Sequence, residues 1–214
     1  MNQKLTPLAG ILFFAMLLGS ALTSGNQDGK TSGAKVITYA TAHHDKLVAS
    51  MILTIIAVVI GVIYFGGLRD YLRQGEGVRG LTATAFGGVI LFAASGALSA
   101  GALLALTSDT SHLDPSTAQG LNLLLTDAGA GLALCGMAIL LFTYGMAIVK
   151  TGLLPKWLGW IALPFAVVAL IPWIGWISFI MTGFWVLFTS IALYRRQAKA
   201  AAGSGDAPAP AAAA

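Results

Sequence analysis

From residue 157 to residue 194 the chain carries no Asp, Glu, Lys, Arg or His. Drawn as one helix rising about 1.5 Å per residue, that stretch is about 57 Å long, nearly twice the roughly 30 Å hydrocarbon thickness of a bilayer. It must therefore turn back on itself, and Pro172-Trp173 near its middle offers the place. Proline ends helices and tryptophan prefers the membrane–water interface. Two spans follow, over residues 158–171, flanked by Pro155 and Trp157, and 174–194.

Four earlier stretches lack charge or nearly so: residues 5–24 after Lys4, 47–68 between Lys46 and Arg69, 80–107 between Arg79 and Asp109, and 121–149, which carries Asp127 near its start. A helix needs about 20 apolar residues to cross, and each stretch supplies them. The expectation is an all-α, integral membrane bundle of six transmembrane helices. Composition agrees: of 214 residues, 57% are hydrophobic and 9% charged, against about a quarter charged in a soluble domain. A mean hydropathy of +0.83 leaves too little polar surface to clothe a soluble fold. Disordered and disulfide-stapled classes are excluded by the apolar excess and the single cysteine, Cys135, which reads as inert packing.

Lys and Arg are retained on the cytoplasmic flanks of spans. With the N-terminus inside, Lys4, Arg69, Arg73, Arg79, Lys150, Lys156, Arg195, Arg196 and Lys199 all fall inside, and Lys30, Lys35 and Lys46 share one outer loop. Both termini are thus expected in the cytoplasm of a cell-membrane protein. The formal charge of +4 reflects that bias; spread over four flanks, it is no nucleic-acid footprint. Lys4, the apolar run and the small residues at 19–24 also resemble a secretory signal peptide. Ala21 and Thr23 fit a cleavage site imperfectly, so an uncleaved anchor is expected.

Residues 25–30 form a polar, turn-rich stretch, after which Val36, Tyr39, Ala40, His43 and Leu47 recur at helical spacing. A short interfacial helix should therefore lead from Gly33 into the second span, and that span should run on past the membrane until Gly75 and Gly77. The membrane domain is expected over residues 1–196, with a disordered Ala/Pro-rich cytoplasmic tail over 197–214. Small residues stand four apart at Ala15/Gly19, Ala57/Gly61, Ala97/Gly101 and Gly129/Ala133. Such pairs let helix backbones approach, either inside the bundle or across a homo-oligomer face. The tryptophans crowd into the last two spans; Trp157 and Trp173 read as interface anchors, Trp160, Trp176 and Trp185 as packing.

Many membrane chemistries lack their residues. No histidine for a haem and no lysine for a Schiff base lies within a span, and Glu76 is the only glutamate, so a His-Glu-x-x-His protease is excluded. One carboxylate at depth, Asp127, cannot make an aspartyl dyad. No catalytic residue, metal ligand set or cofactor site emerges. The candidate functional polar residues are Asp127, an ionisable group within a span, and His43, His44 and His112, which share the outer side with Asp45, Asp109 and Asp114.

The connector Lys150-Thr151-Gly152-Leu153-Leu154-Pro155-Lys156-Trp157-Leu158-Gly159-Trp160 resembles the one before the penultimate helix in a family of uncharacterised actinobacterial multi-pass membrane proteins, a domain-of-unknown-function group. The approach from Tyr39 to Leu47 and the segment Leu68-Arg69-Asp70-Tyr71-Leu72-Arg73 are similar to it as well. The resemblance covers most of residues 5–196 and implies a six-helix plasma-membrane protein, with no substrate, cofactor or catalytic residue attached.

The leading expectation is a non-enzymatic membrane protein acting structurally, as an accessory, or by binding a membrane-protein partner or its own copy within the lipid bilayer. Two alternatives stand beside it. One is a small transporter or channel whose polar path uses Asp127, Ser95, Ser99, Thr126 and Thr143; the other is an extracytoplasmic metal or pH sensor using His43, His44 and His112.

Overall fold

The structure is a computed structural model and describes residues 5–23, 31–108, 110, 112–171 and 173–204. Seven helices make up the described chain: α1 (Leu5–Thr23), α2 (Gly33–Ala42), α3 (His44–Leu72), α4 (Arg79–Ser108), α5 (Pro115–Thr151), α6 (Lys156–Ala169) and α7 (Gly175–Ser204). Five contain segments long and apolar enough to cross a bilayer: Leu5–Thr23, His44–Leu72, Arg79–Ser108, Pro115–Thr151 and, within α7, Ile177–Lys199. The chain is a multi-pass helical membrane protein. The short helix expected from Gly33 is α2, and the turn-rich residues 25–30 lie outside the described residues, as does Pro172.

Three boundaries differ from the sequence expectation. Helix α5 starts at Pro115, not residue 121, because Asp114 caps it: the carboxylate accepts the Ser116 backbone N–H at 2.9 Å and the Ser116 hydroxyl, with proline next in the chain. Helix α6 runs over Lys156–Ala169, two residues earlier than 158–171 but with the same 14 residues, about 21 Å by helical rise and short of a full crossing on its own. Helix α7 continues to Ser204, eight residues past 196, and residues 205–214 lie outside the described residues.

The Asp114 cap yields a first prediction. The Ser116 hydroxyl, and after it the Ser116 N–H, hold this exposed carboxyl below its ordinary range. A depressed folded value means the contribution is complete above the ordinary carboxylate pKa of about 4 and is lost as pH falls through the folded value. Asp114→Ala at neutral pH should speed amide exchange at Ser116 and in the first turn of α5, leaving the rest of α5 protected. The parent chain should show the same local loosening only at acid pH.

The apolar helices close into a ring: α1 packs on α3, α3 on α4, α4 on α5, α5 on α6, α6 on α7, and α7 back on α1. Helix α5 is the central member; over half of its spanning window, 56%, is buried, against 22% to 44% for the others. The remaining apolar faces point outward, with Ile52, Ile55, Ile56, Val59 and Ile63 exposed along α3. That pattern suits lipid, where an apolar exterior carries no penalty.

Contact between backbones decides which helices pair most closely. At the α4–α5 crossing, a Cβ on Gly88 would stand 2.7 Å from the Gly136 carbonyl oxygen, and one on Gly136 would stand 2.7 Å from the Gly88 oxygen. The α5–α6 crossing repeats the device with Gly145 and Gly159, at 2.9 and 2.6 Å. Helix α5 ends because Gly152 turns left-handed (φ 61°), its N–H closing on the Ile148 carbonyl, and Pro155 then precedes α6. Of the four small-residue pairs in the sequence, Ala97/Gly101 faces outward, and a Cβ on Gly101 would meet nothing within 4 Å.

The ring alternates direction, so Arg69, Arg73, Arg79, Lys150, Lys156, Arg195 and Arg196 gather at one end and Lys35, Lys46 and the histidines at the other. We refer to these as the arginine end and the histidine end. Among the described residues, no Lys or Arg lies within 4.0 Å of a carboxylate; the ion pair is His44 Nδ1 with Asp45 at 3.3 Å.

Candidate functional site

Toward the arginine end the ring is solid. Tyr64, Phe65, Leu68, Tyr144, Leu158 and Trp185 are all buried. Their polar atoms are used: Tyr144 donates to the Phe65 carbonyl at 2.9 Å, and Trp185 Nε1 donates to the Leu158 carbonyl at 2.9 Å.

Toward the histidine end the ring loses two members. The chain turns between α6 and α7 at residues 170, 171, 173 and 174, and Gly175 lies against Leu134. By helical rise, α5 runs about 29 Å beyond that level to Pro115. Helix α4, level with the hairpin at Phe92–Phe179 and running on to Ser108, likewise continues there with α5 without those two neighbours. Helix α2 and the first segment of α5 (Pro115–Leu123) cover this region, locked to each other where a Cβ on Gly33 would collide with the Pro115 carbonyl oxygen at 1.7 Å. Between them the helices leave a cavity of about 510 Å³, well within the roughly 300–1,000 Å³ of small-molecule sites.

The cavity is layered. Its floor is aromatic: Phe13, Phe65, Phe92 and Phe179. Its cover is aliphatic apart from Tyr39, with Val36, Ala40, Leu47 and Leu106. Between them runs a band of uncharged polar side chains: Ser20 on α1, Ser50 and Thr54 on α3, Ser95 and Ser99 on α4, Asn122 and Thr126 on α5. Among the described residues, no Asp, Glu, Lys, Arg or His lines it.

Much of this band is tied into the helices. Ser20 Oγ meets Thr54 Oγ1 at 2.8 Å and Ser50 Oγ at 3.3 Å. Thr54 donates to the Ser50 carbonyl at 2.8 Å, Thr126 to the Asn122 carbonyl at 2.9 Å, and Ser95 to the Gly129 carbonyl at 2.6 Å. Ser99, half-buried in the wall, has no hydrogen-bond partner among the described residues. Ser95 reaches Gly129 where α5 widens into a π-turn over Leu124–Ala128, the Gly129 N–H bonding back to Leu124. Single π-turns often sit at functional sites.

The π-turn separates the sequence candidates. Leu125 and Thr126 face the cavity, whereas Asp127 is exposed on the outside of α5. Of the candidate polar path, Ser95, Ser99 and Thr126 line one cavity; Asp127 and Thr143 do not, the latter donating to the Ile139 carbonyl at 2.6 Å. His43 stacks on Tyr39 with ring centres 4.2 Å apart, and its Nδ1 lies 3.2 Å from the Tyr39 carbonyl. His44 pairs with the neighbouring Asp45, and His112 is exposed on the connection between α4 and α5. Among the described residues, no three His, Cys, Asp or Glu side chains stand close enough to hold one metal ion. Cys135, expected to be packing, is exposed on α5. Trp173 is 85% exposed at the α6–α7 turn, where an interface anchor belongs, and Trp185 is core; Trp157 and Trp160 are also exposed.

Taken one at a time, Ser20, Ser50, Thr54 and Asn122 do not stand out in the sequence. A usable signal was present: Ser50/Thr54, Ser95/Ser99 and Asn122/Thr126 are each four apart in an otherwise apolar span, which puts both members on one helix face. Compared with protein families, with curated proteins and with solved structures, the chain matches none.

Proposed function

We propose that this protein is a non-enzymatic, six-span membrane protein, amino and carboxyl ends in the cytoplasm, that holds one lipid-soluble small molecule inside its bundle. The observation that carries the reading is the cavity. It is closed below by aromatic packing, covered by a helix that does not itself span, and of the size of a ligand site. Among the described residues its lining offers neither the carboxylates of an ion path nor a nucleophile with a base, which favours binding over transport of ions or catalysis. Counting α6 as a span rests on its turn: with residues 170–174 added, the hairpin reaches the level where Trp173 can anchor at the interface. The cytoplasmic assignment of the arginine end rests on the basic residues gathered there. A count of six spans is also what the resemblance of the 150–160 connector implies.

A small uncharged aromatic diazirine, photolysed in proteoliposomes, tests the reading. It should label the lining residues Val62 and Val89 as well as lipid-facing Ile52 and Ile55, and label core residues Leu140 and Tyr144 far less. Filling the cavity with Val58→Phe and Ala93→Phe should remove the inward labelling about tenfold and leave Ile52 and Ile55 unchanged. Labelling of Val62 and Val89 no greater than that of Leu140 would refute the cavity as a binding site.

A further inference from the structure

We infer that the molecule held in the cavity is a long-chain neutral alcohol whose hydroxyl head binds the polar band at Ser99. This rests on the cavity being a binding site and specifies its ligand. Charge is decided by the lining, which among the described residues contains no ionisable carboxylate, amine, guanidinium or imidazole. A charged head brought there would remain unpaired at membrane depth, the most costly arrangement available to it.

The hydrogen-bonding sense of the head follows from what the band has already used. A serine or threonine hydroxyl offers one donor and two acceptor positions. Thr54, Ser95 and Thr126 each give their single donor to a backbone carbonyl, of Ser50, Gly129 and Asn122 respectively. What they still offer the cavity is lone pairs. Ser99 alone among these hydroxyls retains its donor, since it has no partner among the described residues. With the Tyr39 hydroxyl and the Asn122 amide also on the lining, the wall presents donors beside the lone pairs of Thr54, Ser95 and Thr126; that mixture suits a group that both donates and accepts, which a hydroxyl does and a ketone or ester does not. The chain of such an alcohol has two apolar surroundings to occupy, the phenyl floor of Phe13, Phe65, Phe92 and Phe179 and the aliphatic cover of Val36, Leu47 and Leu106. A volume of about 510 Å³ lies in the lower half of the ligand-site range, which favours one chain over a two-chain lipid.

The experiment uses the full chain in phosphatidylcholine nanodiscs and three diazirine-bearing probes of one chain length: hexadecanol, hexadecane and hexadecyl sulfate. Hexadecanol should label the lining peptides of α3 and α4 saturably, at a bilayer mole fraction at least tenfold below either comparator, with unlabelled hexadecanol competing. Ser99→Ala should weaken the alcohol about three- to tenfold, the range of one hydrogen bond, leave hexadecane unchanged, and be reversed by Ser99→Thr. Equal labelling by alcohol and alkane, stronger labelling by the sulfate, or an unaffected Ser99→Ala chain would each overturn this ligand class while leaving cavity binding intact. No saturable labelling by any of the three would instead overturn the cavity reading beneath it. Should Ser99→Ala fail to fold, the three-probe comparison on the parent chain decides alone.

Discussion

Replacing Gly136 by leucine should abolish the folded bundle. At this crossing α4 and α5 touch through backbone, and a Cβ on Gly136 would stand 2.6 Å from the Phe92 amide nitrogen and 2.7 Å from the Gly88 carbonyl oxygen. Neither obstacle is a side chain that can rotate away, so the two helices must separate along the most closely packed seam of the ring. Overpacking a core typically costs about 1–3 kcal/mol when side chains can yield; with backbone on both sides the penalty should exceed that. Detergent-solubilised Gly136→Leu is expected to lose its monodisperse elution and its cooperative thermal transition. Gly101→Leu, on the outward face of α4 with nothing within 4 Å of a new Cβ, is the matched control and should behave as the parent. A stable, monodisperse Gly136→Leu chain would show that α4 and α5 do not cross here.

The second large effect is at Trp185. Its side chain is 2% exposed between α6 and α7, and its indole N–H donates to the Leu158 carbonyl at 2.9 Å. Truncating a buried tryptophan to alanine costs about 3–5 kcal/mol in soluble cores, part of it water-transfer free energy. Where the alternative environment is lipid that part falls away, so Trp185→Ala is expected near the lower limit, about 3 kcal/mol. Trp185→Phe keeps most of the volume and removes the donor, and should cost about 1–2 kcal/mol through the unpaired Leu158 carbonyl. Denaturation of the reconstituted protein, followed through protease access to the α6–α7 hairpin, measures both. If alanine and phenylalanine were equally mild, Trp185 would not be holding the hairpin to the ring.

Residues 170–174 show how far sequence reached. The length of the uncharged stretch forced a reversal near Pro172, and a turn is there. That α6 would stop at Ala169 was not legible, because helix ends inside an apolar stretch leave no change of composition. The glycines teach the same lesson. Spacing of four picks out Ala97/Gly101, which faces outward, and misses Gly88, Gly136, Gly145 and Gly159, whose significance lies in their opposing one another across helices. Asp127 stands out in the sequence as a lone carboxylate in a span, yet it is exposed on the outside of α5 while uncharged Thr126 lines the cavity.

The sequence by itself determined that this chain lives in a bilayer, where its helices run and which ends carry the cations. These are properties of transfer free energy, which is local and sums along the chain. Only the tertiary structure decided that the helices form a ring, that its hairpin turns short of the far ends of α4 and α5, and that the resulting space is lined by hydroxyls. In lipid, apolar side chains gain little by choosing one another over solvent, so partners are selected by shape and by backbone approach. Such shape arises between residues as distant as Ser20 and Thr54, or Ser95 and Gly129, and belongs to no single stretch of the chain.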